Sequence, residues 1–260
     1  MKHQTPTFFA RRLFKPAAAL AALTFSLGLH AATPSAWWID VVNDRESNVR
    51  QQLARGIDPN AVDADKLPTL MLAIRSGAWE VYDALLADRR IQVEVENAHA
   101  ETPLMYLALL GETQRAAVLI ARGAQVNRLG WTPLHYAASK GQVDTARLLL
   151  KHGAMIHAPA PDGTTPLMMA AHSGSREMVR LLLEHGADAT AVNLNKNTAA
   201  DWARAHRHIR LAEELDRVAQ QTLARREGRP EPQSVQPAAE PAAESGSSRY
   251  FDLRRFETEE

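Results

Sequence analysis

The chain has 260 residues, enough to bury a sizeable core, and its 45% hydrophobic and 23% charged residues are typical of a folded protein. It has 30 basic and 30 acidic residues but no cysteine, which excludes disulfides, thiolate catalysis and cysteine-ligated zinc. Four basic residues precede the first acidic one, Asp40, so removal of that leader leaves 26 basic and 30 acidic residues, a balance of −4. That balance argues against nonspecific binding to nucleic acid or to anionic membranes.

Residues 1–31 have the pattern of a secretory signal peptide. A basic stretch ending in ARRLFKP is followed by an apolar run over 17–29 and then by the small residues of LHAATPSA. We expect cleavage near Ala31 or Ala32, with Ala36 as a second site. An uncleaved membrane anchor is the alternative, although the apolar run is shorter than the roughly 20 residues that span a bilayer. The Arg11-Arg12 pair resembles the twin-arginine export motif, so the general and the twin-arginine routes both stay open.

Internal similarity with a period near 33 residues organises the rest of the chain. Three segments align in register: 101–127, 131–157 and 164–190. Weaker copies occur at 37–63, 67–97 and 197–215. Each strong copy begins with Thr-Pro-Leu and carries a Gly after the first helical pattern and another after the second. In the second copy, Thr132 can cap a helix that has Pro133 in its first turn, and Gly141 and Gly153 can end the two helices.

These residues, above all TPLHYAASKG with LLLKHGA, resemble the ankyrin repeat. The resemblance implies an all-α repeat solenoid of about five to six stacked helix-turn-helix repeats with short β-turn fingers. We place the repeats at about 37–64, 66–97, 99–127, 130–158 and 163–190, with a capping unit at 196–215, in a domain over 36–215. Trp37, Trp38 and Ile39 are expected to cover the first end of the core.

Two departures from the repeat are informative. Thr102 and Thr132 are only 30 residues apart, whereas Thr132 and Thr165 are 33 apart, so the finger between Asn127 and Trp131 should be stunted. After the last repeat we predict a helical extension (216–226), a disordered Pro/Ala/Glu/Ser linker (227–248) and a C-terminal tail (249–260). The tail is interpreted either as a docking segment or as a frayed end.

The sequence contains no recognisable catalytic, metal or cofactor site. His206 and His208 are two apart and would point away from each other on a helix, and His135 belongs to the repeat pattern. Ser139 and His135 share a helix without an acidic residue placed beside them, and the glycines follow the repeat rather than a phosphate loop. We therefore expect no enzyme activity, no cofactor and no small-molecule substrate.

The remaining candidate for a functional site is a surface. By resemblance, the fingers and the exposed side of the first helices form a concave groove that contacts a protein partner. The predicted partner-binding residues are Leu67, Arg75, Glu101, Leu109, Leu110, Arg128, Leu129, Trp131, Lys140 and His172. The leucines and Trp131 would form an exposed apolar streak, and Trp131→Ala should weaken binding by ~2 kcal/mol or more while leaving the fold largely intact. The alternative is that the short finger turns Trp131 inward as filler.

The sequence thus predicts a periplasmic adaptor that binds a protein and thereby scaffolds, stabilises or inhibits it. A membrane-anchored structural protein with an uncleaved leader and a secreted effector that binds a host protein are the alternatives. Nucleic acid is not an expected partner, and membrane contact is expected only if the leader is kept.

Overall fold

The structure is a computed structural model that describes residues 33–228. The predicted signal peptide, the C-terminal tail and nearly all of the linker lie outside the described residues. Within 33–228, no helix combines the length and the apolar character needed to cross a bilayer.

The described residues form six consecutive helix pairs, as the repeat pattern predicts. The bounds are α1 Ser35–Val42, α2 Glu46–Ala54, α3 Thr69–Arg75, α4 Trp79–Ala87, α5 Pro103–Leu110, α6 Thr113–Ala121, α7 Pro133–Ser139, α8 Val143–Lys151, α9 Pro166–Ser173, α10 Arg176–Glu184, α11 Ala199–Ala205 and α12 Ile209–Arg226.

The first helices of the pairs form one row, in which α1, α3, α5, α7, α9 and α11 each pack against the next. The second helices lie beside them, with α2 against α4, α6 against α8, and α8 against α10. Every residue over 103–109 and over 133–139 is buried, so α5 and α7 lie almost wholly inside the core. Each pair buries too little surface by itself, and stability comes from the contacts between pairs.

The recurring Thr-Pro sequence explains where the first helices begin. Thr102 has extended backbone and its side chain accepts a hydrogen bond from the backbone N–H of Met105, while Pro103 occupies the first helical position. The Met105 sulfur in turn accepts from the Thr102 N–H at 3.4 Å. In the next pair His135 takes this role, since its Nδ1 lies 3.1 Å from the Thr132 nitrogen.

The loops that join the pairs are the fingers, and one of them is short. Residues 122–132 give 11 positions between α6 and α7, whereas 152–165 and 185–198 each give 14. The shortened finger between Asn127 and Trp131 is therefore confirmed. It turns at Gly130, whose φ of +80° is readily adopted only by glycine.

The two ends of the stack differ in their covering residues. Trp37 is fully buried and its indole N–H donates to the Thr69 hydroxyl at 3.2 Å, which joins α1 to the second pair. Ile39, expected to cover the same core, is instead 53% exposed because it lies on the outer side of α1. At the other end Arg207 replaces the usual glycine with φ of +64°, and α12 continues for 18 residues to Arg226.

Candidate partner-binding surface

The candidate site is the edge at which the first helices end, together with the tips of the fingers. We call the ends of the first helices of the second to sixth pairs the helix edge; it consists of the residues at 75–76, 109–110, 139–140, 172–173 and 205–206. The finger tips are the residues at 63–66, 97–100, 128–130, 161–163 and 194–196. Both sets are placed by the same repeat, which brings equivalent positions of successive pairs side by side.

The ten predicted residues divide by exposure. Four are exposed: Arg75, Leu110, Leu129 and Lys140. Three are half-buried: Arg128, Trp131 and His172. The remaining three are buried, with 2–3% of their surface exposed: Leu67, Glu101 and Leu109. The continuous apolar streak expected from the sequence is therefore wrong, because Leu67 and Leu109 pack into the core.

Glu101 is buried because its carboxylate is a hydrogen-bond acceptor inside the stack. The Asn97 amide donates to it at 2.7 Å, and the Tyr136 hydroxyl of the next pair donates at 2.8 Å. The Tyr106 hydroxyl lies 3.4 Å from the same carboxylate. A buried carboxylate is stable when several donors replace its water. Glu101 therefore joins α5, α7 and their finger, and it is not available to a partner in this structure.

The position of Trp131 agrees in part with each of the two interpretations made from the sequence. Its indole packs against the core and meets the His135 ring edge-on, with 5.2 Å between ring centroids. The side chain nevertheless keeps part of its surface exposed. Trp131 thus supports the short finger and still offers surface for contact.

The most exposed apolar side chains of the surface lie on finger tips. Leu129 is 97% exposed at the tip of the short finger. Its neighbour Arg128 is held by an ion pair with Glu96 of the preceding finger at 2.8 Å. Leu194, at the tip of the last finger, is 76% exposed and was not among the predicted residues. Its register position, shared with the tip residues of the other fingers, could have identified it.

A cluster of histidines was also missed. His172 lies in the last turn of α9 and His206 directly follows α11, and their ring centroids are 4.0 Å apart. The sequence-based comparison of His206 and His208 on one helix is wrong, because they do not share a helix. His206 follows α11 and His208 precedes α12. The 34-residue spacing from His172 to His206, close to the repeat period, could have identified this pair.

The histidines differ in their surroundings. His135 is fully buried, and burial lowers its pKa to about 4. Burial, together with the nearby His206, His208 and Lys140, also lowers the pKa of His172 to about 4. Among residues 33–228, no group of three or more His, Cys, Asp or Glu side chains is arranged to hold a metal ion.

The family model and the solved structure that match this chain point to the same family. The family model described as "Ankyrin repeats (3 copies)" matches residues 70–160 and 154–219, which together cover 150 of the 260 residues. Among solved structures, the ankyrin repeat domain of Bcl-3, a member of the IkappaB protein family, superposes with a TM-score of 0.57 and 26% identity. The match covers 68% of this chain and 81% of the Bcl-3 domain. A search of curated proteins gives no significant match.

Proposed function

Because the chain belongs to the ankyrin-repeat family, we propose that it is a non-catalytic adaptor that holds a protein partner against its finger tips and helix edge. Members of this family are generally protein-binding scaffolds rather than enzymes. Holding a partner in this way would scaffold, stabilise or inhibit it.

The observation that carries the proposal is the exposure of Leu129 at 97%. A leucine at this exposure contributes nothing to the core, and the adjacent Arg128–Glu96 ion pair ties its finger to the preceding one. Leu110 on the helix edge is also exposed, at 41%. Apolar side chains presented by a stiff, repeated framework are typical of protein contact surfaces.

Site-specific photocrosslinking in the producing cell tests the proposal. A benzophenone amino acid is placed at position 129 or 194, and in a control at position 118. Val118 is 47% exposed on α6, which belongs to the row of second helices. We expect a discrete adduct with one protein from positions 129 and 194 and none from 118. Equal crosslinking from all three positions, or none from any, would contradict the proposal.

The purified partner then gives a quantitative test. Leu129→Ser should raise the dissociation constant at least fivefold, since a buried leucine contact contributes on the order of 1–2 kcal/mol. The matched Val118→Ser variant should leave the dissociation constant within twofold of the wild type. An unchanged affinity for Leu129→Ser would place the partner elsewhere on the protein.

We further propose that the adaptor acts in the periplasm after removal of its leader. The support is the order of basic, apolar and small residues over 1–31. Mass spectrometry of the mature N-terminus tests this: a new terminus near residue 32 or 33 in the periplasmic fraction is expected. A membrane-bound protein that retains Met1 would instead favour the anchored alternative.

A further inference from the structure

Basic residues dominate the second half of the helix edge. Three successive pairs each place one basic residue there: Lys140 directly after α7, His172 in the last turn of α9 and His206 directly after α11. His208 follows closely, and its ring Nε2 lies 3.2 Å from the His172 carbonyl oxygen. We call these four residues the basic edge. Of the ten positions of the whole helix edge, four are basic and none is acidic.

The two central rings of the basic edge are held in fixed positions. The His206 Nδ1 lies 2.9 Å from the Trp202 carbonyl oxygen, and the His206 and Trp202 rings stack with an interplanar angle of 10°. The His172 ring lies against both, at 4.0 Å from His206 and 5.9 Å from Trp202 between centroids. The two imidazoles are therefore held side by side by contacts within the stack.

The charges facing His172 are not balanced by acids. Besides burial, the groups that act on its pKa are His206 and His208 from the last pair and Lys140 from the pair before that of His172, and all of them lower it. Lys140 makes no ion pair with another residue of 33–228. The His172 Nδ1 is buried and has no hydrogen-bond partner within the same range.

Three carboxylates of the last pair form ion pairs with arginines. Asp201 and Asp216 both pair with Arg204, and Glu214 pairs with Arg176 at 2.6 Å. No ion pair over 33–228 joins a residue of the basic edge to a carboxylate. A carboxylate supplied from outside would meet Lys140 and the two imidazoles together.

We propose that the basic edge binds a carboxylate of the partner protein, from an Asp or Glu side chain or from a C-terminus, and that this fixes which acidic segment lies in the groove. The proposal rests on the proposed adaptor function, since it identifies the chemistry of the partner at the same surface. It adds a pH dependence. A bound carboxylate favours protonated imidazole, and raising the pKa of His172 from about 4 to about 6 would make binding take up a proton between pH 7.5 and 5.5. Affinity should therefore rise as the pH falls from 7.5 to 5.5, where glutamate is still ionised.

The test uses defined peptides and needs no knowledge of the natural partner. A fluorescently labelled hexaglutamate peptide and its hexaglutamine counterpart are titrated against the full chain at low salt, at pH 7.5 and 5.5. We expect hexaglutamate to bind at least threefold more tightly at pH 5.5 and hexaglutamine not to bind. Lys140→Gln and His206→Gln should each weaken hexaglutamate binding at pH 5.5 at least threefold.

His185→Gln is the matched control. His185 is also an exposed residue that directly follows its helix, and its Nδ1 lies 2.9 Å from the carbonyl of Leu181, four residues earlier. This variant should bind hexaglutamate as the wild type does. Equal loss in His185→Gln, binding independent of pH, or tighter binding of an oligonucleotide of the same charge would overturn the proposal. Those results would leave the adaptor function standing, because crosslinking at position 129 tests that function separately.

Discussion

The Nε2 of His135 lies 3.1 Å from the carbonyl oxygen of Thr164, and this contact ties α7 to the finger that precedes α9. The Nδ1 of the same ring must accept the Thr132 N–H, so the proton of the neutral ring is on Nε2, which donates to Thr164. Both nitrogens are used inside the stack, and the neutral form of the ring is required.

Acid should therefore destabilise the protein through His135. Its pKa is about 4 in the folded state and about 6.5 unfolded, so its stabilising contribution is complete above pH 6.5 and falls as the pH drops toward 4. Between pH 7.5 and 5.0 the loss from this residue is about 2 kcal/mol. Urea unfolding of the wild type and of His135→Met at both pH values measures it.

Methionine is the matched replacement because Met105 and Met168 occupy the equivalent positions in the neighbouring pairs. His135→Met should lose about 1 kcal/mol at pH 7.5, since the bond to Thr164 disappears. Its pH dependence should be smaller than that of the wild type by about 2 kcal/mol. An equal loss on acidification in both proteins would assign the pH dependence to other groups.

Gly111 provides a test of how the pairs interlock. With φ of +77°, an added Cβ would lie 2.4 Å from the Gln142 side-chain oxygen, and the Gln142 amide donates to the Leu109 carbonyl. Gly111→Ala should cost about 2–3 kcal/mol in unfolding free energy, from backbone strain plus the displaced hydrogen bond. The measurement is chemical denaturation of the purified variants.

Gly153→Ala is the control for backbone strain alone. Its φ of +81° is nearly the same, but nothing lies within 4 Å of an added Cβ. We expect a cost of about 1–2 kcal/mol, smaller than that of Gly111→Ala. If the two variants were equally destabilised, the Gln142 contact would have no energetic role.

Sequence periodicity was sufficient for the architecture because each repeat encodes its own start and stop. Thr132, Pro133 and Gly141 act within one helix, so their roles depend on local geometry alone. The exposure of residues at the helix edge and in the fingers is different, since it depends on the neighbouring pair. Alignment with the ankyrin repeat assigns Leu109 and Glu101 to the surface, yet the packing of the next pair buries both side chains.

The same reasoning explains the missed histidine pair. His172 and His206 belong to different repeats, and their contact appears only when the repeats are stacked. The residues that flank each histidine in the sequence give no sign of this contact. Alignment of the repeats predicts which positions of successive repeats are neighbours. The size and polarity of the two neighbouring side chains then decide which of them is buried.

Glu101 should accordingly behave as a structural residue. Glu101→Gln replaces an acceptor of several hydrogen bonds by an amide with one acceptor oxygen, and we expect a loss of about 2 kcal/mol in unfolding free energy. Tyr136→Phe should cost about 1 kcal/mol, and the double variant should cost less than the sum. Glu177→Gln, at an exposed ion pair of 3.7 Å with Arg147, should change stability by less than about 0.5 kcal/mol.

Trp131 and Leu129 lie on the same finger and should separate stability from binding. Trp131 packs on the core and on His135, so Trp131→Ala should cost about 2 kcal/mol of unfolding free energy besides weakening partner binding. Leu129 is almost fully exposed, so Leu129→Ala should leave the unfolding free energy within about 0.5 kcal/mol. Unfolding curves and partner dissociation constants for the two variants give the comparison. A stable Trp131→Ala protein would show that the indole serves binding alone, whereas a destabilised one with wild-type affinity would restrict it to filling the short finger.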